Sequence, residues 1–420
     1  MYARIEKFLA RAMRRGSLEI VDAGGKTHRY GDGTGESVRV RFTSEAAERN
    51  VANNPDMKLG EEYVDRGLVV EQGSIYDFML LLLSNADGVL PPWPVVARAA
   101  WHYATRNFEQ LNTLKRARAN IHSHYDLDGR LYSLFLDEDM QYSCAYFEDG
   151  VTGLDEAQIA KKRHIAAKLD LKPGQKILDI GSGWGGLGLY LAQHFDVDVT
   201  GVTLSDEQFA VSNRRAEERG LSKRVRFLLQ DYRTLQGPFD RIVSVGMFEH
   251  VGVARYPEYF DHVKRLLTAD GSMLLHSIGR VGRPGYTSTW IQKYIFPGGY
   301  IPSVSEVMPA IEKSGLVTTD IEILRLHYAK TLRAWRERFL AHKDQVLTFF
   351  DERFVRLWEF YLASSEVAFR VGALDNFQIQ LSKQLEALPL TRRYMVDAED
   401  ALRRKESSAA DRRPVRLAGE

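Results

Sequence analysis

The chain has almost no cysteine. Cys144 is the only one in 420 residues, which excludes an intrachain disulfide framework and a thiolate metal cluster. Long apolar runs are missing as well: the longest, Phe78 to Leu83, falls far short of the roughly 20 residues that cross a bilayer, so any membrane association should be peripheral. Charge of one sign is not in excess, with 57 Lys and Arg against 56 Asp and Glu and a formal net charge of +1, and no global charge argues for nucleic acid. The amino terminus, MYARIEKFLARAMRRG, lacks the apolar core and small-residue cleavage site of a secretory signal, which points to the cytoplasm. What is present is an ordinary globular composition, 44% apolar, long enough for two or three domains.

In the first residues Ile5, Phe8, Leu9 and Ala12 share one helical face, flanked by Arg4, Lys7, Arg11, Arg14 and Arg15. Such a basic amphipathic helix either lies on an anionic membrane or packs on its own domain with its basic side in water. From Leu18 to Phe42, alternating stretches between Gly-rich turns predict a small antiparallel sheet, and Ala46 to about Arg118 reads as mainly helical, broken at Pro91-Pro92-Trp93-Pro94. Residues 1–118 are therefore expected to form an accessory α+β domain. In the aromatic-rich stretch from Ile121 to Phe147, His122, His124 and Asp126 are metal ligands by type, but their spacing fits no zinc motif and no metal is expected.

The stretch KILDIGSGWGG, Lys176 to Gly186, reads as a buried strand with Asp179 near its carboxyl end, a tight turn through Gly181, Gly183 and Gly185, and a helix start. Glycines there allow positive φ and a close backbone approach to a ligand, beside the unpaired N–H groups of a helix N-terminus. Nicotinamide, flavin and S-adenosylmethionine sites all use such turns. A dinucleotide site wants G-x-G-x-x-G and an acidic residue closing the second strand. Here the third glycine is one residue early and the second strand, Val197 to Val202, ends in Thr203-Leu204-Ser205, which favours S-adenosylmethionine.

Further strands are expected at Val225 to Leu229, Arg241 to Val245 and Met273 to Ile278, alternating with helices, so the fold should be α/β with a mainly parallel sheet and helices on both faces. Ligands in such sheets bind beyond the carboxyl ends of the strands. The polar residues collect there: the glycine turn, Thr203 to Gln208, Asp231-Tyr232, Glu249-His250, and His276 late in the fifth strand. An aromatic insertion, Gly279 to Ser303, reads as a lid, a channel wall, or an internal contact. After the strand Ile321 to Leu326, helical sequence is expected from Leu332 to Leu385, with its aromatic stripe in the core, and residues 396–420 are expected to be a disordered tail.

Five separated motifs occur in order: Tyr142-Ser143-Cys144-Ala145-Tyr146-Phe147, the glycine turn from Leu178 to Gly185, Thr203-Leu204-Ser205, Phe248-Glu249-His250 and Phe296-Pro297-Gly298-Gly299. Over roughly residues 119–390 the chain resembles the cyclopropane fatty acid synthases; the related mycolic acid methyltransferases share most of these motifs but usually lack so large an amino-terminal domain. The resemblance implies a class I S-adenosylmethionine-dependent methyltransferase fold over residues 119–395, a seven-stranded sheet to which the last strand pair adds an antiparallel strand. It implies cofactor contacts at Tyr142, Ser143, Gly181, Gly183, Thr203, Leu204, Gln208, Asp231 and Tyr232, with Asp179 beside them. Ser182 replaces a cysteine common between the two glycines, and Tyr232 stands where many relatives carry tryptophan.

The chemistry implied is attack of an acyl-chain alkene on the sulfonium methyl, giving a carbocation that loses a proton from the new methyl as a ring closes. That calls for an apolar pocket and a base close to the methyl. The resemblance implies bicarbonate as that base, held by Cys144, Glu249, His276, Ile278 and Tyr328. The expected enzyme is a cytoplasmic protein acting on phospholipid acyl chains at a membrane surface, anionic lipid favoured, with a homodimer possible in solution. Its rivals are a methyl- or methylene-branching methyltransferase acting on the same alkene and a catalytically dead lipid-binding relative.

Overall fold

The computed structural model describes residues 1–86, 93–109 and 129–407. His122, His124, Asp126 and Pro91-Pro92 lie outside them. The chain forms two compact units. The first comprises residues 1–109, 285–297 and 332–374, so it is discontinuous, unlike the expected domain of residues 1–118.

In the first unit β1 (Ser17–Val21), β2 (Thr27–Tyr30), β3 (Ser37–Phe42) and β4 (Leu68–Gln72) form a sheet in the order β2-β1-β3-β4. β1 pairs antiparallel with β2 but parallel with β3, so the expected all-antiparallel sheet is mixed: the chain leaves β2 on one edge of β1 and returns on the other. Val38, Val40 and Phe42 of β3 are buried while Arg39 and Arg41 point outward, the period-2 pattern of a half-buried strand. β4 falls in sequence expected to be helical. The helix Ala3–Ala12 buries Leu9 and Ala12 against its own unit and leaves Arg4, Lys7, Arg11, Arg14 and Arg15 exposed, so it packs on its own domain while its basic side stays open to an anionic surface.

Part of the aromatic insertion is built into this unit. Asp56, in the helix Pro55–Val64, accepts from the Thr289 N–H (2.9 Å) and Oγ1 (2.7 Å), and Glu61 accepts from Lys293 and Tyr294, both at 2.7 Å. Trp290 is buried over Gly60, where a Cβ would lie 2.5 Å from the indole Nε1. The aromatic stripe is core: Leu332, Trp335, Phe339, Trp358 and Tyr361 are buried. Fully buried Glu366 is satisfied by Arg336 (3.0 and 2.9 Å) and Arg370 (2.8 Å).

The second unit carries β5 (Gln175–Ile180), β6 (Val197–Thr203), β7 (Val225–Leu229), β8 (Phe239–Val245), β9 (Leu267–Arg280), β10 (Val317–Ile323) and β11 (Leu374–Ser382), ordered β10-β11-β9-β8-β5-β6-β7. β7, β6, β5, β8 and β9 are mutually parallel, and β10 and β11 pair antiparallel. β11 corrects the expectation of helix through Leu385. Its apolar row, Phe377, Ile379 and Leu381, alternates with Asn376, Gln378, Gln380 and Ser382, and both rows are buried. The carboxyl-terminal expectation changes too: residues 396–407 belong to the helix Arg393–Ser407, anchored by buried Met395 and Leu402 and by Glu406, which accepts from Tyr190 at 2.6 Å. Residues 408–420 lie outside the described chain.

Candidate active site

Strand β5 delivers the site. It pairs with β6 and β8 on either side and ends at Ile180, after which Gly181 (φ 79°), Gly183 (φ 54°) and Gly185 (φ 85°) turn the chain into the helix Gly186–His194. A Cβ at Gly181 would come within 2.8 Å of Met247, whereas one at Gly183 meets no atom within 4 Å, so the backbone there borders open space. Asp179 is buried with Oδ2 unpartnered, and burial pushes its carboxyl up to about 7.

The ends of the neighbouring strands complete a cleft. After β6, the Thr203 hydroxyl donates to Gln208 Oε1 (2.7 Å) and Ser205 caps the helix Asp206–Glu218. After β7, Asp231 is gripped by its neighbour Arg233, which donates from Nε (2.9 Å) and Nη2 (2.7 Å). Tyr232 packs edge-on to Tyr259, and desolvation pushes its hydroxyl well up. Tyr142 and Ser143 close the remaining side, with the Tyr142 ring against Tyr132 and Phe135. Tyr142, Ser143, Asp179, Gly181, Gly183, Thr203, Leu204, Gln208, Asp231 and Tyr232 all line this one cleft, together with Gln141, Trp184, Gln230, Arg233, Met247 and His250.

The five residues expected around a base are buried, or in the case of Ile278 half-buried, but fewer are directly joined. Glu249, following β8, accepts from the Ile278 N–H of neighbouring β9 at 2.6 Å. Its Oε2 has no partner, and burial pushes the carboxyl up to about 7. His276, on β9, does not line the cleft. Its ring nitrogens face the Asn376 amide (3.2 Å) and the Gln378 amide (3.1 Å) of β11, and burial holds it neutral, its pKa pushed down to about 3. A neutral imidazole has one donor and one acceptor, so one of these amides turns its oxygen to the ring. Cys144 is buried, its thiol pushed well up by desolvation, while the next N–H, Ala145, donates to Thr331 (3.0 Å), three residues beyond buried Tyr328.

Several site-shaping residues carry no motif. Asp139 binds Lys162, Arg215 and Arg219 (2.8 Å to Arg219), and Arg215 also donates to the Trp184 carbonyl (2.8 Å), locking the glycine turn from behind. Buried Lys161 and Gln158 reach the 141–143 segment. The only sequence signal was the helix Leu154–Leu169, whose charges are too evenly spread for a solvated face.

The strand order and the cleft at the carboxyl ends define a class I S-adenosylmethionine-dependent methyltransferase. Coclaurine N-methyltransferase, solved with S-adenosylhomocysteine, shares the fold at 20% identity, with a TM-score of 0.62 over 77% of this chain and 98% of that one. Residues 112–379 match the mycolic acid cyclopropane synthetase family, and the chain belongs to that family. Residues 5–92 match a domain of unknown function, DUF7884. The chain is 40% identical to cyclopropane-fatty-acyl-phospholipid synthase of Escherichia coli K12 over 338 residues, 80% of this chain and 86% of that protein. It is 36% identical to the tuberculostearic acid methyltransferase UfaA1 of Mycobacterium tuberculosis, covering 81% and 82%. The cyclopropane synthase MmaA2 from M. tuberculosis superposes at 36% identity with a TM-score of 0.62, covering 65% of this chain and all of that one.

Proposed function

We propose that the protein transfers a methylene unit from S-adenosylmethionine to the cis double bond of unsaturated phospholipid acyl chains, forming a cyclopropane ring. The observation that carries this is the buried Glu249–Ile278 pair beside a strand-end cleft, in a chain 40% identical to a cyclopropane-fatty-acyl-phospholipid synthase. S-adenosylmethionine supplies an electrophilic methyl group. The residues present fit it: the open backbone at Gly183 admits a close ligand, and the unpartnered Asp179 oxygen suits its ammonium group. Tyr142, Ser143 and Gly181 would hold the amino-acid end, and Thr203, Leu204, Gln208, Asp231 and Tyr232 the adenosine.

With the cofactor bound, the alkene would bond to the methyl carbon as the C–S electron pair leaves with sulfur as S-adenosylhomocysteine, the new methyl would lose one proton, and the freed C–H electron pair would close the ring. Bicarbonate would take that proton, held among Cys144, Glu249, His276, Ile278 and Tyr328. Glu249 with its raised pKa can present an O–H to an anion near neutral pH, and the Ile278 N–H fixes its direction. A neutral His276 braced by Asn376 and Gln378 keeps a second charge out of the pocket.

The substrate lies in a bilayer, and among the described residues no helix is long and apolar enough to cross one. Peripheral docking on the cytoplasmic face is supported by the exposed basic flank of Ala3–Ala12 and by exposed Val96, Trp101 and Tyr103 on the helix Trp93–Glu109. A homodimer and the absence of a nucleic-acid partner are part of the same proposal. Likeness to UfaA1 supports a second reading, a methyl branch in place of the ring. The test is release of S-adenosylhomocysteine in carbon dioxide-free buffer with vesicles of unsaturated or saturated phospholipid. Release needing both unsaturation and added bicarbonate supports the proposal; release with saturated lipid would overturn it, and no release at all would indicate a lipid-binding relative without activity.

A further inference from the structure

The segment from Gln141 to Cys144 joins the two halves of the site. Gln141, Tyr142 and Ser143 line the cleft, and Cys144 lies buried behind it. The helix Leu154–Leu169 holds this segment from behind through two residues one turn apart. Gln158, fully buried, donates from Nε2 to the carbonyl oxygens of Gln141 (3.3 Å) and Ser143 (3.0 Å). Lys161, 1% exposed, donates from Nζ to Gln141 Oε1 (2.7 Å) and Ser143 Oγ (2.8 Å).

Lysine is almost never this buried without a carboxylate partner. Among the described residues, Lys161 bonds to none; its hydrogen bonds go to two neutral oxygens on cleft-lining side chains. A methionine would fill a similar volume without desolvating a charge, so the ammonium is costly to the fold and its gain must lie in what it holds.

Resting on the reading of the cleft as an S-adenosylmethionine site, we infer that Lys161 is a positioning residue. Through Gln141 and Ser143 it fixes the segment that receives the amino-acid end of the cofactor, and its charge favours the Asp179 carboxylate that accepts the cofactor's ammonium. The charged and titratable groups that act on Lys161 are Asp137, Lys162, Cys144 and Asp139, and Lys161 is the charge that acts on Asp179. Burial pushes Lys161 down to about 8 and Asp179 up to about 7, and the ammonium opposes the second of these shifts.

Two ligands separate positioning from mere folding. S-adenosylhomocysteine carries the amino-acid end, and 5′-methylthioadenosine lacks it. Calorimetric titration at pH 7 should show Lys161→Met binding methylthioadenosine as wild type does but S-adenosylhomocysteine about tenfold to a hundredfold more weakly, the loss typical when a residue that orients a ligand-binding group is removed. Equal weakening of both ligands, or unchanged S-adenosylhomocysteine binding, overturns the assignment. Wild-type protein that binds neither ligand overturns instead the reading of the cleft on which it rests. Should Lys161→Met fail to fold, Lys161→Gln removes the charge and is too short to bridge both Gln141 and Ser143. The same discrimination between the two ligands is then expected, and its absence refutes the inference.

Discussion

Replacing Glu249 by glutamine should expose a conflict between stability and catalysis. The carboxyl is buried, with one oxygen bonded to the Ile278 N–H and the other unpartnered, and its pKa is raised from 4.5 to about 7. Because the folded pKa lies above the unfolded one, the native state holds a proton that the unfolded state has released between about pH 4.5 and 7. Stability therefore falls as pH rises through that window and is flat above it, a total of about 3 kcal/mol. Glutamine keeps an acceptor for Ile278 and does not titrate, but it buries an N–H₂ group whose missing partner costs about 1–3 kcal/mol. The variant should accordingly be less stable than wild type near pH 5 and equal to it or up to about 2 kcal/mol more stable near pH 8. Urea midpoints of the two proteins across this range are the assay. The stability difference should move by about 2–3 kcal/mol in the variant's favour. A difference independent of pH would refute the reasoning, since Glu249 would then be ionised throughout. At the same time kcat should fall at least about a hundredfold while S-adenosylmethionine binding is retained, the pattern of a lost transition-state interaction.

Gly183→Val should be destabilised by a branched side chain at φ 54° but still fold, because a Cβ there meets no protein atom, and should abolish S-adenosylmethionine binding by filling the cleft; retained affinity in calorimetric titration would show the turn to be structural only. His276→Ala should lose most of kcat and depend more steeply on added bicarbonate than wild type, read as initial rate in carbon dioxide-free buffer. Full wild-type rate without bicarbonate would instead make Glu249 the direct base. Replacing Arg4, Lys7, Arg11, Arg14 and Arg15 by glutamine should weaken sedimentation with anionic vesicles, each basic residue near such a surface being worth about 1 kcal/mol, and should leave neutral vesicles little changed. Unaltered sedimentation would place the membrane contact elsewhere.

The parallel core was legible because its signals are local: short β-branched runs, glycines where φ must be positive, and polar residues just past each strand. Eight of the ten cleft residues sit where this topology brings the carboxyl ends of parallel strands to one edge, whereas Tyr142 and Ser143 precede the sheet and were implied only by the family resemblance. What escaped depended on tertiary partners. In β11 the alternate residues Asn376, Gln378 and Gln380 are buried against polar groups of other elements, so its pattern is not the usual apolar-in, polar-out strand. The helix Arg393–Ser407 has only Met395 and Leu402 buried, too few for an apolar period to stand out among its charges. Residues 285–297 join the first unit through Asp56, Glu61 and Gly60, contacts made more than two hundred positions away. Lys161 reads in sequence as one charge among several on a helix; only its burial shows that it faces Gln141 and Ser143.

The central claim, ring formation by methylene transfer, is tested most directly with S-adenosylmethionine carrying a fully deuterated methyl group. After incubation with unsaturated phospholipid vesicles, released fatty acids are analysed by mass spectrometry and proton NMR. The account predicts a product that keeps two of the three methyl deuterons and whose vinylic proton signals are replaced by those of cyclopropyl methines. A product retaining all three deuterons on a methyl branch would contradict it.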